Sequence, residues 1–271
     1  LVPSKFAITR EDTKEVFNVL SDRYSPVQNH EAFNFFDAVV GQGEAIYHTA
    51  GALDGGRKVW ILAKLPGDLV VANQDVLERY ILLANSHDGS QALTMAMTPI
   101  RVVCQNTLSV ALAGAKRESS FYARHTTNVH LKANQARDIL GLAEAYYQLF
   151  AQGVERLASK TWNEAQMKEM LVNLFKLDAH EALEEQHANK RVAFETVLEL
   201  FETGKGNNLP GIYGTQWAAY NSVTQFTDHE KKVRGALVSS IEAADRRLNS
   251  AWFGSGLALK QQAWDYLLAA N

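Results

Sequence analysis

The sequence predicts an α+β protein, with an antiparallel sheet of four or more strands followed by a helical C-terminal half. Three observations carry that prediction. Two runs of strand character flank Asp54-Gly55-Gly56, a second pair of runs flanks Ser86 to Ser90, and apolar residues after about Asn134 recur at helical spacing. Composition agrees. Of 271 residues, 46% are apolar and 21% charged, which suits a soluble globular chain with a core of its own and excludes disordered and collagen-like classes.

Glu31 to Val40 reads as a short helix. After Gly41 and Gly43 come the runs Glu44 to Ala52 and Arg57 to Leu65. The second alternates, with Val59, Ile61, Ala63 and Leu65 on one face and Lys58, Trp60, Leu62 and Lys64 on the other, while Asp-Gly-Gly supplies the positive φ angles of a tight hairpin. Tyr80 to Asn85 and Gln91 to Met97 form the next pair around the turn-rich Ser86-His87-Asp88-Gly89-Ser90. Thr98 then stands as an N-cap with Pro99 at the first helical position. The expectation is a helix covering one sheet face, its buried stripe running through Ile100, Val103, Cys104, Thr107 and Leu108, with Gly114 as its cap. Arg101, Gln105 and Asn106 lie off that stripe.

The helical half begins with Ile139, Leu142, Tyr146, Phe150 and Leu157 in one continuous period. Thr161 with Glu164 reads as a capping box, and so does Thr227 with Glu230, the latter opening a helix through Val233, Ile241 and Leu248. Between them come a helix from Asn189 to Thr203 ending at Gly204, a glycine-rich passage, and a helix carrying Trp217, Tyr220 and Val223. There is no repeat and no long linker. A sheet-containing region 1–130 and a helical region 131–271 are therefore expected to pack as one continuous domain.

Net charge is −3, not the strongly basic balance that marks a nucleic-acid binder, but the average hides an asymmetry. Arg101 to Arg137 holds six cations against Glu118 alone, and Glu164 to Glu202 holds nine acids against four cations. No apolar run reaches the roughly 20 residues of a membrane span and no signal peptide is visible, so a cytoplasmic protein is the expectation. Cys104 is the one cysteine, which leaves no intramolecular disulfide, and its place on a buried stripe marks it as an inert thiol.

The common cofactor and hydrolase signatures are absent: no Gly-x-Gly-x-x-Gly, no Walker loop, no His-Glu-x-x-His, no Gly-x-Ser-x-Gly. His87 with Asp88 suits proton transfer or a metal, yet a turn built on Asp-Gly accounts for the same residues. Asp228 with His229 fits helix initiation, and His125, His130, Asp178 and His180 would make a metal site only if the fold gathered them. A single-strand binder needs cations along the phosphates and aromatic surface for the bases. Arg101, Gln105, Asn106, Lys116, Arg117, Phe121, Tyr122, Arg124, His125, Asn128 and Lys132 supply these in one window, and the hairpin adds Arg57, Lys58 and Trp60. Trp60 is a base wedge if its ring is free at the hairpin and a core residue if it is covered.

The run from Tyr80 to Ser90, followed by Thr98-Pro99-Ile-Arg101-Val-Val-Cys104-Gln105-Asn106-Thr107-Leu108, resembles the family filed as domain of unknown function 932. Arg124-His125-Thr126, Gly206-Asn207, Trp217-Ala-Ala-Tyr220-Asn221 and Asp228-His229 also resemble its pattern. The resemblance implies a protein of phage or plasmid origin, and where members usually carry a further segment ahead of the region matching Thr9 to Tyr24, this chain is expected to lack it. The strand pairs followed by a helix are also similar in plan to the ββ-ββ-α core of Rad52-like and phage annealing proteins, which is likeness at the level of fold alone. The resulting expectation is a non-enzymatic single-stranded DNA-binding, strand-annealing protein without cofactor or metal. It would assemble as a homo-oligomeric ring or filament, with strand edges of the hairpin Glu44 to Leu65 as contacts. The alternatives are a module that inhibits or recruits a host factor through the acidic helices, and a metal-dependent nucleic-acid enzyme centred on His87 and Asp88.

Overall fold

The computed structural model describes residues 3–41, 45–108, 120–125, 135–178, 180–232 and 239–270. A two-stranded hairpin, β1 (Lys5–Thr9) and β2 (Val16–Ser21), precedes helix α1 (Asn29–Val40). Then come β3 (Ile46–Leu53), β4 (Lys58–Val71), β5 (Asp75–Ser86), β6 (Leu93–Met97), the short pair β7 (Ile100–Arg101) and β8 (Asn106–Thr107), and β9 (Ser120–Ala123). These seven form one antiparallel sheet in the order β3-β4-β5-β6-β9, with β7 on β5 and β8 on β7. The rest is helical: α2 (Gln135–Ser159), α3 (Glu164–Phe175), α4 (Ala188–Thr203), α5 (Gln216–Gln225), α6 (Ser240–Phe253) and α7 (Ser255–Ala269).

Both expected strand pairs are present, and one strand of each, β4 and β5, runs well beyond its sequence signal. Pro66-Gly67 looks like a stop, yet β4 continues through it to Val71. The turn into β5 uses Ala72 and Asn73 at φ 49° and 59°, left-handed positions filled without glycine. No helix begins at Pro99 among the described residues, and Gly114, its expected cap, lies outside them. Ile100 and Arg101 pair in register with Thr107 and Asn106 instead, so two short strands stand where the helix was expected to start. The Val102 N–H bonds to the Val76 carbonyl, and Gln105 turns the chain at φ 59°. Backbone pairing to β5 outweighs a helical pattern that would have left Arg101 at the surface.

Two caps also move. Asn163 with Gln166, not Thr161 with Glu164, closes the capping box of α3, because Thr161 bridges to Thr215. Ser239 with Glu242 caps α6, while Phe226 to Glu230 prolongs α5 as a π-helical turn instead of opening a helix at Thr227.

The chain folds into two compact units, each drawn from three stretches. The first comprises Leu1–Pro66, Arg79–Met97 and Ala113–Tyr147; the second comprises Gly67–Glu78, Thr98–Leu112 and Gln148–Asn271. In the first, Phe35 and Phe36 of α1 are buried, as are Ile61, Ile81, Met95 and Tyr147. The Tyr147 hydroxyl accepts from the Tyr80 N–H at 2.8 Å and donates to the Tyr80 carbonyl at 2.7 Å, which ties the middle of α2 to β5. The second unit is built round aromatic rings. Phe150 stacks on Trp264 at 5.4 Å and Tyr220 meets the same ring edge-on at 5.2 Å. Gly153 allows that approach, since a Cβ there would lie 2.5 Å from Trp264.

Candidate functional site

The polar residues of the first unit gather where β5 turns into β6. Asp88 sets this turn: its Oδ1 accepts from the Ser86 hydroxyl at 2.5 Å and from the Ser90 N–H at 2.9 Å. Gly89 follows at φ 76°, with Leu20 so close that a Cβ would meet it at 2.8 Å. Only glycine meets both conditions without strain. The turn is pinned from outside by the His87 N–H bonding to the Arg57 carbonyl at 2.7 Å, and by Asn18 Nδ2 donating to the Asp88 carbonyl at 2.8 Å. His87 Nε2 donates to Asn29 Oδ1 at 2.7 Å.

Beside it lies a cleft of about 440 Å³ lined by Arg23, Tyr24, Gly89, Ser90, Gln91, Ala92, Arg124 and His125. His125 anchors its wall. The Ser25 N–H bonds to the His125 carbonyl, and Val27 N–H donates to His125 Nδ1 at 3.3 Å. Asn85 Nδ2 donates to the Val27 carbonyl at 2.9 Å, so this backbone segment is held on both sides. Tyr24 stacks on the imidazole at 5.1 Å and donates its hydroxyl hydrogen to the Ser86 carbonyl.

Burial shapes the charge here. It lowers the pKa of His87, against the pull of Asp88, and it lowers that of His125, with His87 adding to the effect. Both rings are therefore neutral near pH 7. Burial and the Asp88 charge push the Tyr24 phenol up to about 12, so it stays a donor. Burial acts to raise the Asp88 pKa, but hydrogen bonds from Ser86 and Ser90 and the charge of Lys58 together hold it below the usual carboxylate range. Arg23 and Arg124 are exposed, and neither has an ion-pair partner among the described residues.

Of the residues expected to bind nucleic acid, Arg57, Lys58, Arg124 and His125 meet at this turn and cleft. Arg57 is partly spoken for, since it pairs with Glu15 at 2.6 Å and lies over the Phe17 ring. Trp60 is no wedge: half-buried, it lies across Gly51 on β3, where a Cβ would sit 2.7 Å from its ring. Lys116, Arg117 and Lys132 lie outside the described residues, as do Asn128, His130 and the Phe121 side chain.

Arg101, Gln105 and Asn106 belong to the second unit, where the expectation of a phosphate-facing helix is overturned. Arg101 is 0% exposed. Its Nε lies 2.8 Å from Asp75 Oδ2, its other nitrogens donate to the carbonyls of Lys205 and Gly206 and to Asn207 Oδ1, and Trp217 Nε1 donates to the same Asp75. Asn106 is buried and donates to Thr224 Oγ1 at 2.9 Å. Gln105 is exposed and caps its own turn through the Val102 carbonyl. Asp228, expected at a helix start, accepts from Thr107 and pairs with fully buried Lys260 at 2.6 Å. Cys104 is buried, which pushes its thiol up.

Among the described residues, no three of His, Cys, Asp or Glu stand close enough to hold a metal ion. A hollow of about 510 Å³ in the second unit is walled by Leu69 to Ala72, by Gly211 and by α2 residues between Ala151 and Ser159, a mostly apolar lining in which Glu155 and Ser159 are the polar side chains.

A family model described as Domain of unknown function (DUF932) matches residues 16–252. The chain belongs to this family. No curated protein and no solved structure matches it. The stretches that carry the DUF932 likeness separate by role in the fold. Thr98 to Leu108, Gly206-Asn207, Trp217 to Asn221 and Asp228 supply the buried network of the second unit. Ser86 to Ser90 and Arg124-His125 supply the cleft of the first. Sequence reasoning missed Arg23, Tyr24 and Gln91, because a short arginine–tyrosine step after a strand has no pattern of its own.

Proposed function

We propose that this DUF932 protein binds single-stranded nucleic acid, DNA in the first instance, through the cleft of its first unit, and performs no chemistry on it. One observation carries the reading: two exposed arginines without acidic partners among the described residues border a stacked tyrosine–histidine pair. Guanidinium groups supply the salt-sensitive hold on phosphates, and the half-buried Tyr24 ring, backed by His125, supplies a sequence-tolerant surface for a base. Tyr122 extends the aromatic surface. It is 62% exposed on β9, two residues before Arg124. Side-by-side assembly for annealing has its best support at β3, which pairs only with β4 among the described residues and leaves Ile46 76% exposed.

Fluorescence anisotropy with labelled single and double strands at two salt concentrations tests the reading. Arg23→Glu and Arg124→Glu should each weaken single-strand binding and reduce the slope of log K against log salt by about 0.7 for each phosphate no longer neutralised. An unchanged slope rejects the cleft as the binding surface. Light scattering across a concentration series, with and without DNA, tests the assembly: a monomer under both conditions removes annealing from the proposal.

A further inference from the structure

His125 has one nitrogen accounted for and one that is not. Val27 N–H donates to Nδ1, so that nitrogen is the acceptor and the neutral ring carries its hydrogen on Nε2. Nε2 is buried and has no hydrogen-bond partner among the described residues, while the residue as a whole is 7% exposed. A buried donor without an acceptor is costly, and such groups call for a partner such as a water, an ion or a ligand. The donor belongs to a residue lining the cleft, and the cleft's other polar groups are of matching kind. Arg23 and Arg124 bring two guanidinium groups, while the Ser90 hydroxyl is taken up by Ser86 Oγ at 3.3 Å. The nearby acid, Asp88, is already engaged by Ser86, by the Ser90 N–H and by the charge of Lys58.

We propose that this cleft receives a phosphomonoester, the terminal phosphate of a nucleic-acid strand, with Arg23 and Arg124 at its sides and His125 Nε2 donating from its wall. The inference rests on the single-strand reading and narrows it. An internal phosphodiester carries one negative charge and two free oxygens, and it must keep the strand running past on both sides. A terminal phosphate carries a charge of about −1.5 to −2 near pH 7 and offers three strong acceptor oxygens on a group that can project inward. Two guanidiniums and a buried N–H donor match the second better in charge and in the number of donors. The protein would then recognise where a strand ends as well as that it is single.

The experiment compares one single-stranded oligonucleotide in three forms, with a 5′-phosphate, a 3′-phosphate, or hydroxyls at both ends, and adds inorganic phosphate as competitor. Wild-type protein should bind one phosphorylated form about tenfold or more tighter than the hydroxyl form, because charge-assisted hydrogen bonds are gained. Inorganic phosphate should erase that preference while leaving the hydroxyl form bound. Arg124→Gln, at an exposed position, should bring the ratio close to one. His125→Asn, which can still accept from Val27 but no longer reaches outward, should do the same, and His125→Gln should restore part of it. Equal binding of all three forms by wild-type protein overturns the terminal-phosphate pocket and leaves single-strand binding standing. No binding of any form overturns both.

Discussion

The two units use the same residue types to opposite ends. In the second, Arg101 and Lys260 are both 0% exposed, and carboxylates, carbonyls and hydroxyls of the protein meet their donors. In the first, Arg23 and Arg124 stand in solvent with no acid against them, and a buried imidazole nitrogen has no acceptor, among the described residues. A cation whose donors are all satisfied inside the protein has nothing left to offer a ligand; its work is to hold β7, β8, α5 and α7 in place. An unsatisfied donor set is where binding is to be sought. The difference is one of partners, not of residue identity.

The largest effect that would break this contrast lies in the second unit. Arg101→Met strands the Asp75 carboxylate in the interior and should cost about 3–5 kcal/mol, read as a fall in the denaturant midpoint. Combining it with Asp75→Leu should recover part of that loss, since the lone buried charge is then gone. A single variant as stable as wild type would mean that the network does not hold the unit together.

A smaller effect separates the units by pH. The folded-state pKa values of His87 and His125 lie below the ordinary value of about 6.5. Between the folded and unfolded values the unfolded chain binds a proton that the native state does not, so stability falls as pH drops through about 6.5. Asp88, with its lowered pKa, contributes stability that is lost only at pH below the usual carboxylate value of about 3.9, outside this window. Urea titrations at pH 7.5 and at about pH 5.5 should show the loss, and His125→Gln should flatten it. A pH-independent midpoint would show that neither ring is held neutral by the fold.

The smallest effects sharpen the contrast at exposed positions. Gln105 sits at φ 59°, and Gln105→Gly should raise stability by about 0.5 kcal/mol, because relief of left-handed strain outweighs the added freedom of the unfolded chain. The same variant should bind single strands as wild type does. Arg124→Glu should do the reverse, staying within about 0.5 kcal/mol in stability while losing affinity.

Much of the sheet was legible from local pattern. Asp54-Gly55-Gly56 marked one hairpin and Asp88-Gly89 the next, because positive φ at a turn favours glycine strongly. The helix about Tyr146 and Tyr147 and the end of α4 at Gly204 were equally plain, since burying one face imposes a 3.6-residue period. The strand segment after Pro66-Gly67 and the glycine-free turn at Ala72-Asn73 were not legible, as neighbouring strands override the local signal there.

For the site, residue types and their spacing were enough to put Arg124 and His125 in a basic window and His87-Asp88 in a turn, and to establish that the chain carries cations, amides and rings suited to an anionic strand. Which of these groups are available was settled by the fold. Arg101 and Arg124 belong to the same basic stretch of sequence, yet one meets Asp75, distant in sequence, and the other meets no acid among the described residues. Whether a charge finds a partner depends on distances in space, which sequence separation ceases to track once the chain folds back on itself. The free Nε2 of His125 is of the same kind, because it is the Val27 backbone, brought beside β9 by the fold, that fixes which nitrogen carries the hydrogen.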